Sequence, residues 1–150
     1  MKIYIASDHG GYEYKEELKK YFSGKGHGVE DMGPFELDPD DDYPDFVIAC
    51  AEKVAQEEGS FGIILGRSGN GEAIAANKVK TIRAVLCLNE QMAKMAREHN
   101  NANILAIGAD LIDLDTVRSI VDVFLNTPFS NEERHKRRLK KIADYESSNS

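Results

Sequence analysis

The 150-residue sequence predicts an α/β fold, a parallel sheet covered by helices on both faces. Three observations carry that reading. Short apolar runs alternate with stretches of helical periodicity along the whole chain. Polar residues collect where strands end and helices begin, at Asp8 and His9 and again at 66–72, which is where open α/β sheets bind their ligands. A hydrophobic content of 41% with 30% charged residues is that of an ordinary globular domain. A chain of this size buries roughly two-thirds of the surface that its unfolded form exposes.

The elements follow in order. Ile3-Tyr4-Ile5-Ala6 is the first strand. Tyr14, Leu18, Tyr21 and Phe22 form the apolar stripe of a helix that stops in the turn-rich Ser23-Gly24-Lys25-Gly26. Residues 27–31 form a weaker second strand, and His27, set among glycines, reads as an exposed turn residue. Pro44 can open the next helix at its first position, with Phe46, Val47, Cys50, Ala51 and Val54 facing inward. Residues 61–65, 83–88 and 104–107 are the third, fourth and fifth strands. Leu114, Val117, Ile120, Val121, Phe124 and Leu125 stripe a long helix, and a last helix spans about 131–146. Residues 1–146 read as a single domain, with 147–150 as a frayed end.

A net charge of −7 argues against a nucleic-acid surface, which needs a basic face. No apolar stretch approaches the roughly 20 residues of a membrane span. The chain enters a strand at once without a signal-peptide pattern, and Cys50 and Cys87 have neither metal nor C-x-x-C spacing. Reduced core thiols and a cytoplasmic location are therefore expected. Charge is uneven, with acid gathered at 36–45 and base at 134–141. A small phosphorylated ligand needs only such a local basic pocket. The acidic loop is not a calcium loop, because counting from Asp38 puts Tyr43 at the glycine position and Ala49 at that of the bidentate glutamate. No cluster has the ligand spacing of a catalytic metal, and no cofactor is expected.

The richest segment is Gly66-Arg67-Ser68-Gly69-Asn70-Gly71-Glu72, between a buried strand and a small-residue helix. Glycines there let backbone N–H groups turn inward and form an anion nest at the positive end of the helix. A P-loop would need Lys and Ser/Thr after its last glycine, where Glu72 and Ala73 stand, and Ile74 breaks the dinucleotide fingerprint. A carboxylate beside an anion hole fits proton abstraction from carbon, the hole holding the enolate that forms. A helix dipole alone also favours an acid in the first turn, by about 0.3–1 kcal/mol. Three glycines within 66–71 exceed what a strand-to-helix turn requires, which favours the catalytic reading.

That segment, followed by Ile74-Ala75-Ala76-Asn77-Lys78, resembles the ribose-5-phosphate isomerase B family, grouped with the galactose-6-phosphate isomerase subunits. Ala6-Ser7-Asp8-His9-Gly10-Gly11, Asp42-Tyr43-Pro44, Arg97-Glu98-His99-Asn100 and Arg134-His135-Lys136-Arg137-Arg138 agree with it in order, over residues 1 to about 146.

The resemblance implies a three-layer α/β/α sandwich on a five-stranded, parallel, Rossmann-like sheet in the order 2-1-3-5-4. It implies an aldose–ketose isomerase acting on a phosphorylated sugar without metal, most simply ribose 5-phosphate and ribulose 5-phosphate. Members use either a cysteine or a glutamate base. Gly66 stands at the cysteine position, so the implied base is Glu72. His99 with Asp8 would open the sugar ring, and Asn100 would hold hydroxyls. Ser68, Gly69, Asn70 and Gly71, with Arg67, would form the oxyanion hole, and Tyr43 would line the pocket. His9, Arg134 and Arg138 would hold the phosphate, the two arginines lying one helical turn apart. Members are dimers or tetramers of dimers that share sites between subunits, so His99 and Asn100 are expected from a second copy. The chain departs from the pattern at Asp110, where relatives carry a phosphate-binding arginine, and at Arg67, where many carry a small residue. A tetrose or hexose phosphate substrate, or a non-catalytic sugar-phosphate-binding module, are the alternatives.

Overall fold

The computed structural model describes residues 1–149. Its strands β1 (Lys2–Ser7), β2 (Gly28–Asp31), β3 (Phe61–Gly66), β4 (Ala84–Leu86) and β5 (Ile104–Gly108) form one parallel sheet in the order β2-β1-β3-β5-β4. Helices α1 (Tyr12–Gly24), α2 (Tyr43–Gln56), α3 (Asn70–Ala76), α4 (Glu90–Asn100), α5 (Leu114–Asn126) and α6 (Glu133–Ser148) complete it, with a 3-10 turn at His9–Gly11. This is the expected sandwich, strand order included.

Alternation along the strands separates two cores, because successive side chains point to opposite faces. Ile3, Ile5, Ile63, Leu65, Leu105 and Ile107 pack under α1, α4 and α5 through Leu18, Phe22, Ala93, Ala96, Val117, Ile120, Val121 and Phe124. Tyr4, Ala6, Ile64, Ile104 and Ala106 pack under α2 and α3 through Val47, Cys50, Ala51, Val54 and Ala76. Both cysteines are free and buried, and burial pushes the Cys87 thiol up to about 12. None of the described helices is long and apolar enough to cross a membrane.

Several boundaries differ from expectation. β4 is shorter than 83–88: Arg83 instead bonds the end of α4 through Asn100 O and Asn101 O, and Asn89 caps α4 by accepting from Met92 N at 2.8 Å. Tyr43 takes the first helical position of α2 and Pro44 the second. His27 is not an exposed turn residue; it is half-buried, its ring edge-on to Phe22 at 5.9 Å. α6 begins and ends two residues later than 131–146, so the expected frayed end is helical to Ser148, and Ser150 lies outside the described residues.

Lys15 is fully buried, which its place beside the α1 stripe did not announce. Its Nζ donates to Asp31 Oδ2 at 2.7 Å and to Pro34 O at 2.9 Å, while Lys19 reaches the same carboxylate oxygen at 2.7 Å. Burial pushes the Asp31 carboxyl up, but the two lysines and the Gly33 N–H outweigh it and hold the group below its ordinary value. The cluster anchors the start of the loop that runs from β2 to α2.

Removing Asp31 leaves the buried Lys15 charge with the Pro34 carbonyl and a long contact of 4.0 Å to Glu16 Oε2. Asp31→Ala is expected to cost about 3–5 kcal/mol in urea unfolding, and Lys15→Met added to it should recover much of that. An unchanged urea midpoint for the single variant would show the cluster to be dispensable. The contribution of Asp31 is present above its unfolded pKa and is lost as pH falls through the lower folded value.

Candidate active site

The site grows from the pairing of β1 with β3, in which Ser7 stands opposite Leu65. The chain leaves β1 toward β2 on one side and comes back to β3 on the other, so the loops after these strands diverge and open a crevice. Asp8 follows β1 and donates its N–H to Leu65 O at 3.3 Å. Its Oδ1 accepts from Gly10 N at 2.8 Å and Gly11 N at 3.3 Å, so the residue is a helix cap. Its carboxylate also bears on Glu72 electrostatically.

After β3, Gly69 sits in the left-handed region at φ 83° and turns the chain into α3. Ser68 Oγ accepts from Asn70 N at 3.2 Å, while the N–H groups of Ser68, Gly69 and Gly71 are bonded to no group among the described residues. These three remain as the donors of the nest. Tyr43 covers it from α2: a β-carbon on Gly71 would lie 2.5 Å from the phenolic oxygen.

Glu72, in the first turn of α3, is only 4% exposed. A β-carbon on Gly66 would overlap its carboxylate, so the carboxylate occupies the space into which a side chain at 66 would project. A cysteine at 66 and this glutamate conformation exclude each other sterically. Burial raises the pKa of Glu72, its own backbone N–H opposes the rise, and the Asp8 charge adds to it. Desolvation therefore outweighs the helix end, the contest that sequence alone leaves open.

His9 opens the 3-10 turn. Asp41 Oδ1 accepts from its backbone N–H at 3.0 Å and lies 2.8 Å from its ring Nδ1. The hydrogen bond to Asp41 holds the imidazole above its ordinary value; burial pulls it down, Asp8 adds to the rise, and Arg67 opposes it. His9, Arg67, Glu13 and Asp110 border a cavity of about 430 Å³ beside the crevice. Arg67 reaches Asp110 Oδ2 at 3.3 Å, both side chains more than half exposed, so the two departures from the family pattern face each other. Asp8, His9 and Asp41 bring ligand atoms within 4.8 Å of one another and could hold a metal ion. Sequence spacing hid that group because Asp41 is 32 residues from His9.

His99, Asn100, Arg134 and Arg138 are elsewhere. α4 ends at Asn100, just before β5 begins at Ile104, whereas Glu72 follows the other end of the sheet. The length of β5 separates the two ends by about 16 Å. His99 stacks on His135 of α6, ring centroids 4.5 Å apart, and Arg134 and Arg138 lie on the same helix. The sequence thus brings Asp8, His9, Tyr43 and 67–72 together within one chain, and leaves the second group at the opposite edge. A larger cavity of about 560 Å³ also opens at that edge, but its guanidinium groups, Arg83 and Arg97, are committed to backbone carbonyls. Asp41 and His135 were not singled out from sequence: the first is hidden in an acidic run, the second in a basic one.

A parallel α/β sandwich with a buried carboxylate beside a backbone anion nest at its switch point defines an isomerase, a protein that moves a proton between carbons. More narrowly, the chain belongs to the ribose/galactose isomerase family, which matches residues 3–142. It is 45% identical over 146 residues to ribose-5-phosphate isomerase B of Mycobacterium tuberculosis, covering 97% of this chain and 90% of that relative. The structure of Clostridium thermocellum ribose-5-phosphate isomerase B superposes with a TM-score of 0.96 at 45% identity, covering 100% of both chains. That of Mycoplasma genitalium ribose-5-phosphate isomerase B with bound ribulose-5-phosphate superposes at 0.93 with 39% identity, covering 97% of this chain and 96% of the other.

The raised Glu72 pKa has a consequence for stability. The folded state binds this proton more tightly than the unfolded chain, so ionisation costs stability as pH rises through the folded value. Glu72→Gln should therefore melt no lower than the parent at pH 7, and higher if the amide packs well. A clearly lower Tm would mean that the carboxylate is there to satisfy the helix end.

Proposed function

We propose that the protein interconverts ribose 5-phosphate and ribulose 5-phosphate through a cis-enediolate. The observation that carries this is Glu72, a buried carboxylate of raised pKa beside free backbone donors. Glu72 takes the C2 proton of the open aldose and returns it to C1. The N–H groups of Ser68, Gly69 and Gly71 hold the developing oxyanion, with Asn70 and Arg67 at the rim, and one such donor is worth about 2.7–4 kcal/mol. Asp8 and His99 open the ring, Asn100 and Tyr43 position hydroxyls, and His9, Arg134 and Arg138 take the phosphate. The relative with bound ribulose-5-phosphate supports this substrate class.

The separation of His99, Asn100, Arg134 and Arg138 from Glu72 favours a site completed by a second copy of the chain. α6 supports it, since Ile142 and Tyr145 are exposed on a helix that lies outside the sandwich, and Met92 and Met95 are exposed on α4. The smallest assembly meeting this need is a homodimer. The two buried, unpaired thiols favour a reducing compartment, the cytoplasm. A second reading, isomerisation of a tetrose or hexose phosphate, is favoured by Asp110, whose carboxylate beside Arg67 can accept from a sugar hydroxyl.

A panel of tetrose, pentose and hexose phosphates assayed for aldose–ketose conversion decides between these substrates, and turnover of none of them would leave a binding module. On the preferred substrate, Glu72→Gln should abolish most of kcat with binding retained. Gly66→Ala should push the carboxylate aside and lower kcat by about 100-fold. Near-normal turnover by either variant removes Glu72 from the role of base.

Shared sites make a separate prediction. Glu72→Gln and His99→Ala subunits, each inactive alone, should regain roughly a quarter of the parent activity when refolded together, because half of the dimers then carry one intact site. No gain on mixing would place His99 outside the partner's site.

A further inference from the structure

Asp41 makes a contact to His9 that the chemistry above does not use. Its side chain is 6% exposed, against 26% for His9. One oxygen, Oδ1, serves both the backbone N–H and the ring of His9, while Oδ2 is buried with no hydrogen-bond partner among the described residues. A carboxylate held out of water with one oxygen unpaired is destabilising unless something compensates it. The imidazole is the side chain that Asp41 engages.

The backbone around His9 is fixed from two directions. Asp8 caps the turn from inside, accepting from Gly10 and Gly11, and Asp41 closes it from the loop before α2. With Nδ1 turned to Asp41, ring Nε2 is the nitrogen left for the cavity that His9 borders with Arg67. An imidazole whose Nδ1–H is held by a carboxylate has a set tautomer and orientation, and its charged form is favoured.

We propose that Asp41 is a positioning residue for phosphate recognition: its grip on the backbone N–H and ring Nδ1 of His9 orients the imidazole so that Nε2 is presented to the substrate's phosphate. This rests on the reading of His9 as a phosphate ligand given above. The groups facing the ring are Asp41 and Asp8, which favour its charge, and Arg67, which opposes it; Glu13 and Asp110 face it across the cavity.

The test has two arms, both run in EDTA so that no metal enters the Asp8, His9, Asp41 group. In the kinetic arm, Asp41→Ala should raise KM for ribose 5-phosphate about tenfold with kcat within about twofold. Asp41→Asn, whose amide oxygen can still accept from the backbone N–H and ring Nδ1–H of His9, should recover most of the parent KM. In the second arm, the His9 ring resonances are followed by NMR at one pH in the parent and in Asp41→Ala, with inorganic phosphate as the probe. Phosphate should shift these resonances at about tenfold lower concentration in the parent than in the variant. This arm needs no turnover, so it remains informative if ribose 5-phosphate proves not to be the substrate. Equal phosphate concentrations for the parent and Asp41→Ala overturn the proposal, as does a loss confined to kcat in Asp41→Ala.

Discussion

The pairing of β1 with β3 is the constraint on which the rest of this molecule depends. Their register sets Ser7 against Leu65, so that the next residues of both strands emerge side by side. Because the connection from β1 goes outward to β2, nothing fills the space between the two strand ends. Asp8 spans that gap with its N–H on Leu65 O, and Gly66 leaves room above the sheet for the Glu72 carboxylate. A side chain at 66 would displace the Glu72 carboxylate, and a different strand order would remove the crevice.

Around that crevice the charges are arranged in opposition. Glu72 is pushed toward its neutral form by burial and by Asp8. His9 is held toward its charged form by Asp41. A general base works best when its pKa lies nearer the working pH, and an anion ligand when its charge is secure, so the two shifts run in the directions that the proposed roles of Glu72 and His9 require. Arg67 and Asp110, the residues by which this chain departs from the family pattern, face each other at the exposed rim, where an ion pair has little worth for stability.

The core of the fold was legible because it is written locally. β3 and β5 are unbroken apolar runs buried on both faces, and the α5 stripe repeats at helical spacing. Boundaries were less legible where tertiary partners decide them: Arg83 is drawn off β4 by the carbonyls at the end of α4. Lys15 is the clearest case. Nothing in α1 marks it as buried, because its partners Asp31 and Pro34 belong to the loop after β2. In the candidate site, Glu72, Asp8 and the glycines stood out because each belongs to a contiguous motif at a strand end. Asp41 did not, since it is one acid among several until folding sets it against His9.

By itself, the sequence determined the α/β class, the position of each strand and of helices α1, α2, α5 and α6 to within a few residues, and the family to which the chain belongs. Periodicity and turn residues act over one or two turns of chain, and a sequence carries that information in full. Only the tertiary structure decided that burial outweighs the helix end at Glu72, that Asp41 grips His9, and that His99 and Glu72 lie at opposite edges of the sheet. These are consequences of which distant segments share a dielectric environment and a sheet edge, and parallel crossovers separate such segments by tens of residues along the chain.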